Sequence, residues 1–165
     1  MIALKIIEVK EFMNHLLMMD TFDVFCLCSA EIVREYSVNI DGRISRQFYS
    51  DEEREILGID KERFLKYSRM RPIVHGHIKG RRAPLLIKLT LSMKQDEAFA
   101  RMKGVSQSKS SIEDFLLNIR YDARGLVLTC GVSYASFNPE KNIEALWDEF
   151  ITEFLSSQNI GFEKI

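Results

Sequence analysis

Cysteine is scarce in this sequence, and the number of cysteines is odd. The three thiols, Cys26, Cys28 and Cys130, lie on apolar stretches. A small domain held together by disulfides usually carries an even and larger set of cysteines. The cysteine content therefore argues against a disulfide scaffold and predicts a protein of the reducing cytoplasm.

Long apolar runs are missing too. No stretch approaches the roughly 20 apolar residues that a membrane-spanning helix needs. Charged side chains such as Lys5 and Glu8 interrupt the N-terminal segment, where a signal peptide would be apolar. With 46% apolar and 28% charged residues, the 165-residue chain has the composition of an ordinary globular protein. We expect a single domain, 1–165, with no membrane partner.

The spacing of apolar residues predicts both strands and helices. The clearest strand is APLLIKLTLSMK, where Leu85, Ile87, Leu89, Leu91 and Met93 alternate with polar residues. A hairpin is predicted around Gly125, which suits a turn that needs a positive φ. The strongest helix follows, capped by Asn138 and opened by Pro139. Its apolar face is formed by Ile143, Leu146, Trp147, Phe150, Ile151, Phe154 and Leu155.

Less regular patterns lie in the first half. Two extended segments are predicted between Phe22 and Ile40, with Arg34 out of pattern. A short helix is predicted between a cap at Ser50 or Asp51 and a stop at Gly58. A further helix is predicted to start at Asp60, and Pro72 and Gly80 are predicted to bracket another one.

The order of these elements predicts the fold class. Strand, helix, strand, strand and helix follow one another, and the same order then repeats. We therefore expect an α+β fold with a largely antiparallel sheet covered by helices on one face, possibly built from two βαββα halves, 1–82 and 83–165. The alternative is a single irregular α+β domain without a repeat.

Charge is distributed unevenly along a chain whose net charge is only −1. Residues 63–95 hold nine Lys or Arg, two His and no Asp or Glu, whereas the flanks together carry −10. Such segregation can create a local positive potential that recruits phosphates or an acidic surface. The alternative is that acidic helices within 51–62 or 140–153 of the same protein neutralise these charges.

The leading functional hypothesis is a non-enzymatic binding or assembly protein with an anionic partner, either nucleic acid or an acidic protein face. The contact is predicted at Arg69, Arg71, Lys79, Arg81 and Arg82. A homodimer formed through an exposed strand face is a further possibility.

The competing hypothesis is a small-molecule enzyme or ligand-binding protein. Its pocket would lie between the sheet and the last helix, lined by His75, Cys130 and Tyr134. Motifs of the types G-x-S-x-G, P-loop and G-x-G-x-x-G are absent. Residues i and i+2 of a helix point apart, so His75 and His77 would not hold one metal ion together. We expect no cofactor and no metal.

Three segments carry a resemblance to known proteins. They are, in order, SVNIDGRISRQFY, RPIVHGHIKGRRAPLLIKLTL and NIEALWDEFITEFL. In these segments the chain resembles a family of uncharacterised bacterial proteins of about this length. The resemblance implies a stand-alone bacterial cytoplasmic protein and assigns no catalytic or binding residue. The possible duplication is also similar, at the level of fold, to half-domains of sliding DNA clamps, although one such domain is too short to encircle DNA.

Overall fold

The structure, a computed structural model, describes residues 1–105, 111–136 and 141–165. Its strands are β1 (Ala3–Ile6), β2 (Cys26–Val33), β3 (Ser37–Asp41), β4 (Leu65–Lys66), β5 (Leu86–Lys94), β6 (Ile112–Asp122), β7 (Gly125–Tyr134) and β8 (Phe162–Lys164). Its α-helices are α1 (Val9–Leu17), α2 (Asp51–Leu57), α3 (Tyr67–Ile78), α4 (Gln95–Arg101) and α5 (Lys141–Ser157). Two 3-10 turns, Arg46–Phe48 and Ile59–Lys61, lie between β3 and β4.

The strands form one antiparallel sheet. Its order is β3-β2-β5-β6-β7-β1-β8, and the short β4 pairs with the beginning of β2. This arrangement confirms the prediction of an α+β fold with an antiparallel sheet. Within the described residues, no helix is long and apolar enough to cross a bilayer.

Alternation explains the central strands. On β5, Ile87, Leu89 and Leu91 are buried, whereas Lys88 between them is exposed. The β6–β7 hairpin closes at Gly125, whose φ of 122° lies in the region that favours glycine. Both elements confirm the sequence prediction from Ile87 onward, whereas Leu85, which was predicted on the apolar face, precedes β5 and is 71% exposed.

The core lies on one face of the sheet, beneath the helices. Trp147 of α5 is fully buried, and its ring centroid is 5.0 Å from that of Phe115 on β6 and 6.4 Å from that of Phe25. The indole N–H donates to the Leu116 carbonyl at 2.9 Å, so this polar group is satisfied inside the core. Helices α1, α3 and α4 bury side chains in the same cluster, whereas α2 buries none.

The caps of α2 agree with the sequence. The Ser50 hydroxyl accepts from the Glu53 N–H at 3.2 Å, and the Glu53 carboxylate accepts from the Ser50 N–H at 2.8 Å. Gly58 ends the helix with φ 64°. This reciprocal capping box forms a short helix without help from the core. The predicted caps of α5, Asn138 and Pro139, lie outside the described residues.

Two predictions in the first half are wrong. The segment after Asp60 is a 3-10 turn followed by β4, not a helix. Pro72 does not open α3 but is its sixth residue. Proline there removes the bond to the Ser68 carbonyl, at a cost of about 3 kcal/mol. The helix continues because four side chains are buried, namely Tyr67, Met70, Val74 and Ile78.

The two extended segments predicted between Phe22 and Ile40 have different boundaries in the structure. Phe22 and Phe25 lie in turns, and the hairpin connection is residues 34–36. After β3, Gly42 passes so close to β2 that an added Cβ would lie 1.7 Å from the Leu27 carbonyl oxygen. Only glycine fits at this crossing.

The proposed halves share the sheet. Both halves begin with strand, helix, strand and strand, but the first adds α2 and β4 before α3 and the second adds β8 after α5. Strand β1 of the first half pairs with β7 and β8 of the second. Strand β2 likewise pairs with β5. The segments 1–82 and 83–165 therefore contribute neighbouring strands to one sheet.

Candidate anion-binding surface

Most of the cations in residues 63–95 have carboxylate partners within the protein. Five of the nine are paired: Arg63 with Asp114 (2.6 Å), Lys66 with Glu97 (3.7 Å), Arg71 with Asp23, Lys88 with Glu31 (4.0 Å) and Lys94 with Glu62 (2.6 Å). Glu62 belongs to the acidic segment 51–62 that the sequence singled out, but the other four partners do not. Internal neutralisation thus accounts for about half of the charge.

Arg71 belongs to this neutralised group. Besides its ion pair with Asp23, it donates to the Met19 carbonyl at 2.7 Å. Its side chain connects α3 to the turn that follows α1 by these bonds, so its role is structural. Arg69, in contrast, is exposed, donates to the Tyr49 hydroxyl at 3.1 Å and forms no ion pair with a described residue.

The remaining candidates lie together in residues 79–85, which we call the basic loop. Lys79, Arg81 and Arg82 are all exposed. None of the three forms an ion pair with a described residue. The structure therefore brings three of the five predicted residues together as unneutralised cations in one short loop.

The basic loop is held at both ends. The Arg34 guanidinium donates to the carbonyls of Ile78 and Lys79 at 2.6 and 2.8 Å. These carbonyls lie at the C-terminal end of α3, where intrahelical partners are missing and a cation is favoured. At the far end, the Leu85 N–H donates to the Val33 carbonyl at 2.8 Å. The loop is thus presented in a defined position.

Gly80 allows Arg34 to reach the end of the helix. Its φ is 155°, and an added Cβ would lie 2.5 Å from a guanidinium nitrogen of Arg34. The sequence analysis assigned no role to Arg34. The only indication in the sequence was that a charged residue interrupts the alternation of the predicted strands at this position.

A second group of cations lies at the same end of the sheet. Ile87 pairs with Tyr121, so the start of β5, which follows the basic loop, lies beside the end of β6. There Arg120 and Arg124 both bond to Asp122, at 3.0 and 3.1 Å. Bonds from Arg124 and then Arg120 lower the pKa of the Asp122 carboxyl. One carboxylate between two arginines leaves a net positive charge.

The residues of the alternative pocket are not brought into one site. His75 lines a groove of about 540 Å³ between α1 and α3, together with Met13, Leu17 and Met18. Cys130 and Tyr134 are not among the residues of this groove.

Cys130 is buried on the core face of β7. Burial, and next the negative charge of Asp148, raise the pKa of its thiol. The Tyr134 hydroxyl donates to Glu144 of α5 at 3.2 Å. A nucleophilic cysteine needs a lowered pKa and a nearby base, so the observed environment favours a structural thiol.

A charged cavity that the sequence did not reveal lies near the start of β2. It has a volume of about 260 Å³ and is lined by the ion pairs Arg63–Asp114 and Lys94–Glu62 and by Cys26. Burial raises the pKa of the Asp114 carboxyl, an effect that Arg63 opposes. These four charges neutralise one another.

The remaining thiols and histidines give no sign of a metal centre. Burial raises the pKa of Cys26 to about 11 and also raises that of Cys28. His15 is buried and its ring nitrogen lies 2.7 Å from the Thr21 hydroxyl. In the part of the chain that the structure describes, no group of three potential ligands could hold a metal ion.

Comparisons with known proteins place the chain in a family. Neither a curated protein nor a solved structure matches it. The model of one family matches residues 15–163, which include the basic loop, its anchor Arg34 and both sides of the sheet end described above. The chain therefore belongs to the family of unknown function DUF5721.

Proposed function

We propose that the protein is a non-enzymatic binding or assembly protein that contacts an anionic partner through the basic loop. The observation that supports this most directly is the cluster of Lys79, Arg81 and Arg82, which are exposed and have no carboxylate partner among the described residues. Fixed neighbouring cations raise the local potential and attract phosphates or carboxylates.

The surroundings of the basic loop extend the proposed contact. Arg120 and Arg124 contribute positive charge beside it, and Lys5 lies next to the β6–β7 turn, with its Cε 3.9 Å from a Cβ built on Gly125. Because the whole chain carries a net charge of −1, the rest of the surface is acidic on balance. A polyanion would therefore be repelled elsewhere and bind at this end.

Fluorescence anisotropy tests the proposal. A labelled single-stranded oligonucleotide, a labelled duplex and a labelled polyglutamate are titrated with the protein at low salt. Three phosphate contacts predict a slope of log K against log salt of about −2 for the single strand and about −3 for the duplex. Binding of polyglutamate alone would indicate an acidic protein partner.

A matched pair of variants locates the contact. Arg81→Glu/Arg82→Glu is expected to weaken binding about tenfold or more, which corresponds to about 1.4 kcal/mol. Lys61→Glu/Arg101→Glu changes the net charge equally at exposed positions on the α2–β4 connection and α4, and is expected to bind like the wild type. Absence of binding to all three probes, or equal losses in the two variants, would refute the proposal.

We further propose that the protein is a bacterial cytoplasmic protein. The three cysteines are free thiols, which supports a reducing cytoplasm. The sequence resemblance supports the bacterial origin.

A further inference from the structure

Strand β3 leaves one edge of the sheet without a partner strand. It pairs with β2 on one side, and no described strand pairs with its other side. An open edge presents free N–H and C=O groups that can pair with another chain. The five residues of β3, SVNID, contain none of the lysines or prolines that commonly protect such an edge. The opposite edge, β8, is only three residues long and carries Lys164.

The direction of the backbone groups on β3 follows from the bonds at its two ends. The Tyr36 carbonyl accepts from Arg34, and the Gly42 N–H donates to Cys28 of β2. Backbone groups of an antiparallel strand alternate in direction. The even-numbered residues therefore bond to β2, and Ser37, Asn39 and Asp41 direct their backbone groups outward.

An exposed apolar side chain lies on the face of α3 that is turned toward the part of the chain containing β3. Arg69 contacts Tyr49 and His77 contacts Tyr36, so the helix face that contains residues 69, 73 and 77 is turned toward the segment 36–49, which includes β3. Ile73, in the middle of this face, is 49% exposed.

We propose that β3 pairs with β3 of a second copy of this chain around a two-fold axis at Asn39. In this register Asn39 faces Asn39 and Ser37 faces Asp41, and the hairpin connection that carries Glu35 lies at the end of the interface where Arg43 of the second copy lies. The outward backbone groups then meet as hydrogen-bonded pairs, and the two copies form one continuous antiparallel sheet. The two Ile73 side chains lie on the same side of this sheet.

Charge complementarity selects the register. Arg43 forms no ion pair with a described residue, and the Glu35 side chain is 76% exposed beside Arg34 at 3.6 Å. An axis at Val38 would bring the hairpin connection with Glu35 next to Asp41 of the second copy, which places like charges together. An axis at Ile40 would place Arg43 opposite Ser37. The axis at Asn39 alone among these three gives two Glu35–Arg43 pairs, which are related by the symmetry.

Sedimentation equilibrium over micromolar concentrations tests the assembly. The wild type is expected at twice the mass of one chain. Asn39→Pro removes an outward N–H that the isolated chain does not use, so it is expected to be a folded monomer with the far-UV circular dichroism of the wild type. Glu35→Arg is expected to weaken the dimer by like-charge repulsion, and the charge-exchanged double variant Glu35→Arg/Arg43→Glu is expected to restore it.

Cysteine cross-linking measures the register. Residues facing each other in a hydrogen-bonded pair have Cα atoms about 5.5 Å apart, within reach of a disulfide. Asn39→Cys is therefore expected to form a covalent dimer under mild oxidation. In the same register the two copies of residue 37 are four residues apart along the strands, roughly 14 Å, so Ser37→Cys is expected not to cross-link. A monomeric wild type, or a dimer that Asn39→Pro leaves intact, would overturn the proposal. Equal cross-linking at both positions would overturn the register.

Discussion

At the scale of single residues, the burial of the thiols argues against a catalytic role for cysteine. A catalytic cysteine is an accessible thiolate with a lowered pKa. Cys130 is almost fully buried and burial raises its pKa, as burial also does for Cys26. The sequence located Cys130 correctly on an apolar strand, and it left both a core role and a catalytic role open. Only the neighbours on α5, which one sequence cannot place, distinguish them.

Thiol labelling at pH 8 is the corresponding measurement. In the native protein we expect at most one thiol, the half-buried Cys28, to react with an aromatic disulfide reagent, and all three to react in urea. The Cys28→Ser variant should then show no native labelling. Rapid native labelling of Cys130 would contradict its assignment to the core and favour the enzyme hypothesis.

The same pKa shifts predict how stability depends on pH. A thiol whose pKa is raised by folding stabilises the protein fully below its unfolded pKa, about 8.5, and this contribution is lost as the pH rises above that value. The free energy of unfolding should therefore fall above about pH 9 as Cys26 and Cys130 ionise preferentially in the unfolded chain.

At the scale of elements, the alternation of apolar and polar residues predicted the central strands correctly. It failed for an element whose conformation depends on contacts with residues distant in sequence. The strand β5 and the β6–β7 hairpin follow from period two alone. Helix α3 could not be predicted from its local sequence, because Pro72 disfavours a helix at this position. The burial of Tyr67 and Val74 in the core outweighs that cost. The C-terminal end of α3 depends on Arg34, which is 43 or more residues away in sequence.

The contribution of Arg34 to α3 can be measured. Its side chain is only 13% exposed and bonds to two helix-end carbonyls, so Arg34→Ala is expected to lower the free energy of unfolding by about 2 kcal/mol. It should also weaken any anion binding by the basic loop, because the loop loses its anchor. Arg46→Ala is the control, since it removes only the exposed ion pair with Asp60 and should change stability by less than about 0.5 kcal/mol. Similar losses in the two variants, measured by urea unfolding, would contradict the capping role.

At the scale of the whole molecule, the sequence predicted the class of fold but not the pairing of its strands. The repeated element order suggested two halves within one domain but did not indicate that β1 would lie between β7 and β8 of the other half. Residues as far apart as Leu4 and Leu128 face each other in this pairing. No local pattern encodes such partners, because any apolar strand of suitable length satisfies the same alternation. For the same reason the sequence predicted a basic segment but not which of its charges are neutralised.

The shared sheet predicts that the chain unfolds as one unit. Trp147, the only tryptophan, belongs to the second half and packs against Phe25 of the first, so its fluorescence reports on the contact between them. We expect urea transitions followed by this fluorescence and by far-UV circular dichroism to coincide, as in two-state unfolding. The fragments 1–82 and 83–165, expressed separately, should each lack the cooperative transition, because each loses the strands that flank its own. Two separate transitions in the full chain, or a folded 83–165 fragment that keeps the emission of a buried Trp147, would show instead that the halves are independent domains joined only by sequence.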